Sequence, residues 1–358
     1  MSLKRWISDE TQYLELDGLF ELESGATLPQ VRVAYRTWGR PAPTATLICH
    51  ALTGSADADE WWADLFGPGR ALDPEHDFIV SSNVLGGCYG TTGPTSRENG
   101  AFEPYGADFP DVTIRDMVHL QARLLDHLGV QRLNLVIGGS MGGMQVLEWA
   151  LLYPERVETI APIAVGPTQS AWGIALSEAQ RQAIRADGKF DGGRYPIGDG
   201  PSRGLAAARA MAMASYRSPH NFEARFGRSR RDGDGFQMQS YLRHQGEKLV
   251  ARFDANTYLT LVDAMDSHDI GRERGNIPET LGSIRQPALV IGVSSDGLYP
   301  AAEVTEMASH LPNAELTVLD APHGHDAFLI EVEAVNDLLV EFLNRHLAER
   351  ELRPAVNE

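Results

Sequence analysis

Residues 133–144 read Leu133-Asn134-Leu135-Val136-Ile137-Gly138-Gly139-Ser140-Met141-Gly142-Gly143-Met144, and this stretch decides the fold. An apolar run of strand length (133–137) meets a Gly-x-Ser-x-Gly turn, and a helix-like run (144–153) follows. Glycine at 138 and 142 strips the turn of side chains on both sides of Ser140, as a sharp strand-to-helix turn demands. Such a turn pushes the serine hydroxyl out at the end of a sheet. The Met141 N–H points at the same spot from a helix N-terminus, so nucleophile and anion donor arise from one turn.

Outward from the turn, 46–49, 78–82 and 159–165 are short apolar runs bounded by turn residues, as strands covered on both faces should be. Alternating residues at 14–22 and 31–38 predict antiparallel strands before them. Residues 114–128 carry Ile114, Met117, Val118, Leu124, Leu125 and Leu128 on one face and stop at Gly129, which predicts a helix. Strands at 288–293 and 315–319 and helices at 302–310 and 327–346 resume the alternation. The class is therefore α/β, a mostly parallel central sheet with helices on both faces. Residues 168–275 depart from the pattern: they are rich in Ala, Arg and Met, read helical, and break at glycine-rich 188–200 and 228–235. They predict a helical lid inserted into a catalytic core made of 1–167 and 276–358.

The chain has 358 residues, 43% hydrophobic, and a formal net charge of −18, which speaks against a nucleic-acid partner. The charge is uneven. Residues 170–275 hold 16 Lys and Arg against 13 Asp and Glu, and the remainder 15 against 36, so a mildly basic segment able to meet an anionic ligand sits in an acidic chain. Two cysteines, Cys49 and Cys88, supply neither a disulfide framework nor metal-ligand spacing, so no metal is expected. The first ten residues lack the apolar core of a signal peptide, and no apolar run reaches membrane-spanning length. A cytoplasmic protein without a membrane partner is the expectation.

A serine hydroxyl is a poor nucleophile until a base removes its proton, and the base needs a carboxylate to hold its tautomer. Behind a turn of this kind the partners follow in the order acid, then histidine, each at a strand end. Strand 288–293 runs into Ser294-Ser295-Asp296-Gly297, and strand 315–319 into Pro322-His323-Gly324-His325-Asp326. Asp296 taken alone is a good turn residue; its place in the order makes it the acid. His325 is preferred over His323 as base, because Gly324 lets the loop approach closely and a helix begins just after. A second anion donor should come from the loop His50-Ala51-Leu52-Thr53-Gly54, with the Leu52 N–H facing that of Met141. His50 is read as a residue that shapes this loop. The chemistry is acyl transfer, and these features alone do not choose between water and another acceptor.

The blocks Asn83-Val84-Leu85-Gly86-Gly87-Cys88-Tyr89-Gly90, Tyr105-Gly106-x-Asp108-Phe109-Pro110, Ser215-Tyr216-Arg217-Ser218, Arg252-Phe253-Asp254-Ala255-Asn256, Ala264-Met265-Asp266-x-His268-Asp269-Ile270 and Gly324-His325-Asp326-Ala327-Phe328-Leu329 resemble homoserine O-acetyltransferases. The likeness runs from about 20 to 346. It implies an α/β-hydrolase fold, no bound cofactor, acetyl-CoA as co-substrate, and ping-pong transfer of its acetyl group to L-homoserine in methionine synthesis. It implies Ser140, Asp296 and His325 as the triad. Arg209, Tyr216 and Asp326 are implied as substrate contacts, and a homodimer joined through the lids is implied as the assembly. Homoserine is a zwitterion, and one guanidinium with one carboxylate would suit its two charges. Thr91 stands where a serine is common, which keeps a hydroxyl. Tyr89 resembles the acetyl-using members, whereas relatives take succinyl-CoA or accept on serine. Homoserine or serine O-succinyl transfer, and ester or thioester hydrolysis, are the alternative activities.

Overall fold

The computed structural model describes residues 7–351, apart from 99, 100, 232 and 234. Alternating residues at the start make β1 (Gln12–Leu16) and β4 (Val31–Trp38), with a small antiparallel pair, β2 (Phe20–Glu21) and β3 (Thr27–Leu28), between them. The expected strand 14–22 is thus two strands, because the chain turns at Asp17-Gly18. The apolar runs become β5 (Thr44–Cys49), β6 (Ile79–Ser82), β7 (Arg132–Gly139), β8 (Ile160–Ile163), β9 (Ala288–Val293) and β10 (Ala314–Leu319). The sheet order is β1-β4-β6-β5-β7-β8-β9-β10, parallel from β6 to β10 and antiparallel at the β1–β4–β6 side.

Both faces of the sheet are covered, which is why its strands read as unbroken apolar runs. A one-turn helix, α1 (Ala58–Trp61), follows β5, and Leu47, Cys49, Val80, Leu133, Val136, Ile160 and Val290 pack on one side with α2 (Ile114–His127) and α3 (Met141–Leu152). Their neighbours Ile48, Ile79, Leu135, Ile137, Ala161 and Ile291 pack on the other with Val335, Leu339 and Phe342 of the C-terminal helix. Helix α2 starts on a reciprocal cap: the Thr113 hydroxyl accepts the Asp116 N–H at 3.2 Å, and the Asp116 carboxylate accepts the Thr113 N–H at 2.9 Å.

Between β8 and β9 the chain is helical: α4 (Ala171–Arg185), α5 (Ser202–Tyr216), α6 (Pro219–Phe226), α7 (Gln237–Val250), α8 (Ala255–Asp266) and α9 (Ile277–Ser283). Helix α5 packs between α4 and α7. Tyr258, Leu261 and Val262 of α8 join the main core, so this insertion is rooted in the body of the protein. After α10 (Ala301–His310), the helix expected over 327–346 is split. Residues Gly324–Leu329 form a 3₁₀ turn and α11 (Val332–Glu351) follows. The tight winding eclipses residues three apart, which sets His325 beside Phe328 with ring centroids 5.8 Å apart.

The strand order also places the site. The chain leaves β5 for β6 on one side, and leaves β7 for β8 on the other. A crevice opens where neighbouring parallel strands send their connections in opposite directions, and ligands of open α/β sheets lie there. The segments that emerge at this point are 50–54 and the turn at Ser140.

Candidate active site

Ser140 is 6% exposed and holds φ 56° and ψ −125°, a conformation that costs a residue with a side chain about 1–3 kcal/mol. Bonds on both sides hold it there. Its N–H donates to the Ile163 carbonyl at 2.9 Å, and its carbonyl accepts the Met144 N–H at 3.1 Å as the first bond of α3. Glycine at 142 is obligatory, since a Cβ there would lie 2.1 Å from the Cys49 carbonyl oxygen. Strain of this kind at a serine that packing does not require makes Ser140 a candidate functional residue. The Met141 N–H, first in α3, has no acceptor within its own helix.

Asp296 and His325 meet from adjacent strand ends. One Asp296 oxygen accepts the N–H groups of Leu298 at 2.8 Å and Tyr299 at 3.0 Å, and the other lies 2.7 Å from His325 Nδ1. The two backbone bonds fix the carboxylate, and the carboxylate keeps the ring proton on Nδ1. His325 Nε2 is buried and has no hydrogen-bond partner among the described residues. Burial works against the imidazolium, but the charge and hydrogen bond of Asp296, with a further push from Asp326, raise the His325 pKa above its ordinary value. Tyr216, Tyr299 and Phe328 enclose the ring, with centroids 5.7, 5.4 and 5.8 Å away. Phe328 also lies on the serine turn, where a Cβ on Gly139 would come within 2.5 Å of its ring.

The competing histidines are occupied elsewhere. His323 faces Asn221 at 2.9 Å and Glu331 at 3.1 Å. His50 Nδ1 lies 2.8 Å from the Ala51 carbonyl, and its Nε2 accepts the Val84 N–H at 3.2 Å. Leu52, two residues on, is buried at the tip of that loop.

The insertion supplies charge. Arg209 on α5 is half-buried, one of its terminal nitrogens has no partner among the described residues, and its guanidinium lies 5.6 Å from the Tyr216 ring centroid. Tyr216 resists ionisation because it is buried. Arg209 opposes that shift and Asp326 adds to it, so both charges bear on this one ring. Asp326 pairs with Arg217 Nε at 3.0 Å. The loop carrying the histidine is pressed against the end of α5: a Cβ on Gly324, at φ 71°, would fall 2.7 Å from the Tyr216 carbonyl. Ser218 Oγ donates to the Pro322 carbonyl across the same junction.

Two residues near the site receive no role from the sequence. Arg217 is the partner of Asp326, and Arg252 donates to the Thr53 carbonyl at 2.9 Å and to the Tyr89 hydroxyl. Both lie in blocks that carry the family resemblance, which was the one available signal. Among the described residues no cluster of three or more His, Cys, Asp or Glu side chains could hold a metal ion, and no helix is long and apolar enough to cross a membrane.

Comparison with known proteins agrees with this geometry. A family model for the alpha/beta hydrolase fold matches residues 45–332. The homoserine O-acetyltransferase of Nostoc punctiforme is 56% identical over 342 residues, 93% of this chain and 96% of that protein. Among solved structures, the homoserine O-acetyltransferase from Bacillus anthracis superposes with a TM-score of 0.86 at 25% identity, covering 94% of this chain and 99% of that one. Esterase E22 reaches the same TM-score at 28% identity, over 93% of this chain and 99% of its own. Equal backbone likeness to a transferase and an esterase means that the fold does not choose the acceptor, while identity above one half over nearly the full length does. The chain belongs to the alpha/beta hydrolase fold family and, within it, to the homoserine O-acetyltransferases.

Proposed function

We propose that this protein transfers the acetyl group of acetyl-CoA to the side-chain hydroxyl of L-homoserine through an acetyl-Ser140 intermediate, giving O-acetyl-L-homoserine and free coenzyme A. The observation that carries the proposal is the fixed Asp296–His325 pair, whose buried Nε2 has no partner among the described residues, Ser140 included, and whose 3₁₀ turn packs Phe328 onto Gly139 of the strained serine turn.

In the first half-reaction Ser140 Oγ attacks the thioester carbonyl carbon while His325 Nε2 takes the hydroxyl proton. The N–H groups of Leu52 and Met141 hold the oxyanion. The carbon–sulfur bond then breaks, and the departing sulfur takes the proton from His325. In the second half-reaction the homoserine hydroxyl gives its proton to His325 and attacks the acetyl carbon. The Ser140 oxygen leaves and recovers that proton. Asp296 orients the imidazole and stabilises its charged form throughout.

Choice of acceptor falls to the insertion, acting as a lid. Water at about 55 M competes for any acyl-enzyme, so an amino acid must be held in place to win. Arg209, with one terminal nitrogen unpartnered among the described residues, offers its guanidinium to the homoserine carboxylate, and Asp326 a carboxylate to its amino group, both charges acting on Tyr216. The homodimer and the cytoplasmic setting implied by the resemblance belong to the same reading, and light scattering of the purified protein checks the dimer.

Coenzyme A release, measured for acetyl-CoA and succinyl-CoA against homoserine, serine and no acceptor, tests the proposal. Release is expected with acetyl-CoA and homoserine together. Release with succinyl-CoA alone as donor, or acetyl-CoA consumption indifferent to homoserine, would overturn it.

A further inference from the structure

The loop that carries Leu52 is tied down from two directions. From the core, His50 directs Nδ1 at the Ala51 carbonyl and accepts the Val84 N–H on Nε2. Burial lowers the His50 pKa to about 4, so the ring stays neutral and keeps this tautomer. The Gly54 N–H donates to the same Ala51 carbonyl at 2.8 Å. In a trans peptide unit the C=O and N–H point in opposite directions. An Ala51 carbonyl held toward His50 and Gly54 therefore turns the Leu52 N–H the other way.

From the insertion, Arg252 follows the end of α7 and donates from Nη1 to the Thr53 carbonyl at 2.9 Å and to the Tyr89 hydroxyl. The Thr53 carbonyl and the Gly54 N–H are two edges of one peptide plane. Arg252 grips the first edge, and the second edge is the donor that fixes the Ala51 carbonyl. The guanidinium has its own seat: it lies 5.9 Å from the Tyr89 ring centroid, and the buried Tyr89 packs edge-on against Phe253 at 5.7 Å. Both acceptors are neutral oxygens, and among the described residues no carboxylate pairs with this guanidinium, so the cation is spent on shape.

We infer that Arg252 is a positioning residue for acyl transfer: by holding the Thr53–Gly54 peptide plane it keeps the Leu52 N–H aimed at the thioester oxyanion. The inference rests on Leu52 being an oxyanion donor, as proposed above. It makes the oxyanion hole a joint product of the sheet and the helical insertion, with Arg252 acting through Thr53 and touching no substrate.

Steady-state rates and single-turnover acetylation by acetyl-CoA, in the full-length enzyme and in Arg252→Met, Arg252→Lys and Tyr89→Phe, test it. Removing an oxyanion donor outright costs about 100- to 1,000-fold, and a donor loosened but still present costs less. Arg252→Met should therefore lose about 10- to 100-fold in kcat and in acetylation rate, with KM for both substrates within about threefold of the parent. Arg252→Lys should recover part of the loss, because one ammonium reaches one of the two oxygens. Tyr89→Phe should lose less than Arg252→Met, in the same direction, and it carries the test with Arg252→Lys if Arg252→Met does not fold. A kcat unchanged in all three variants overturns the inference. So does a raised KM at unchanged kcat, the signature of a guanidinium that binds substrate. An unsubstituted enzyme that turns over without ever carrying acetyl on Ser140 overturns the underlying mechanism as well, and that result is read before any variant is made.

Discussion

The carboxyl ends of the sheet and the helical insertion beside them build one site from different materials. At the strand ends each group is held by backbone. Ser140 is strained into place between β8 and α3, and Asp296 is gripped by two N–H groups of its own loop. The insertion contributes side-chain charge. Arg209 stands without a partner on one nitrogen, Arg217 holds Asp326, and Arg252 holds Thr53. The difference teaches a division of labour. Esterase E22 shares the backbone, so in the proposed function the strand-end groups serve acyl chemistry in general, and Arg209 of the insertion with Asp326 beside His325 selects what receives the acyl group.

Variants on the two sides should therefore fail differently. Ser140→Ala removes the nucleophile and should abolish turnover to about a millionfold below the parent, with no acetylated protein, as checked by rate and intact mass. Asp296→Asn should keep the fold but lose about 10⁴-fold in kcat, because the amide lets the imidazole take the wrong tautomer. Its acetylation step should be slow as well. Arg209→Met should behave otherwise. Acetylation by acetyl-CoA proceeds at close to the parental rate, whereas kcat/KM for homoserine falls about 100-fold through loss of a charged, desolvated contact. If Arg209→Met slowed acetylation as much as transfer, the division between sheet and insertion would fail.

The smallest effect is in pH. A base works only when neutral, and Asp296 raises the His325 pKa in spite of burial. Activity should fall as pH drops through an apparent value above 6.5, the ordinary histidine value. Asp296→Asn should move that acid limb to lower pH. The His50 pKa, lowered to about 4, lies too far down to produce it. An acid limb that Asp296→Asn leaves in place would assign it to another group.

The sheet was more legible in the sequence than the insertion, for a physical reason. A strand buried on both faces, or alternating on one, writes its environment into its own residues. Strand 31–38 was readable to the residue, and helix 114–128 to within one. The meeting of Asp296 and His325 was legible because strand ends and chain order constrain both. The break between the 3₁₀ turn and α11 was not. Its cause lies in Phe328 packing on the Gly139 backbone and near Trp62, contacts that no local periodicity announces. The roles of Arg217 and Arg252 were hidden for a related reason. The insertion holds many arginines, and what separates Arg252 from the rest are bonds to residues 199 and 163 positions away.

The central claim is that the strand-end residues, with Arg252 steadying the oxyanion donor, load the acyl group on Ser140, and that Arg209 of the insertion with Asp326 beside His325 then directs it to homoserine. Its most direct test mixes the purified enzyme with acetyl-CoA alone, maps the modified residue by mass spectrometry, and follows loss of the label on adding L-homoserine. The account predicts one acetyl group on Ser140, stable in buffer and discharged by homoserine as O-acetyl-L-homoserine. An unmodified Ser140, or a label that water removes as fast as homoserine does, would contradict it.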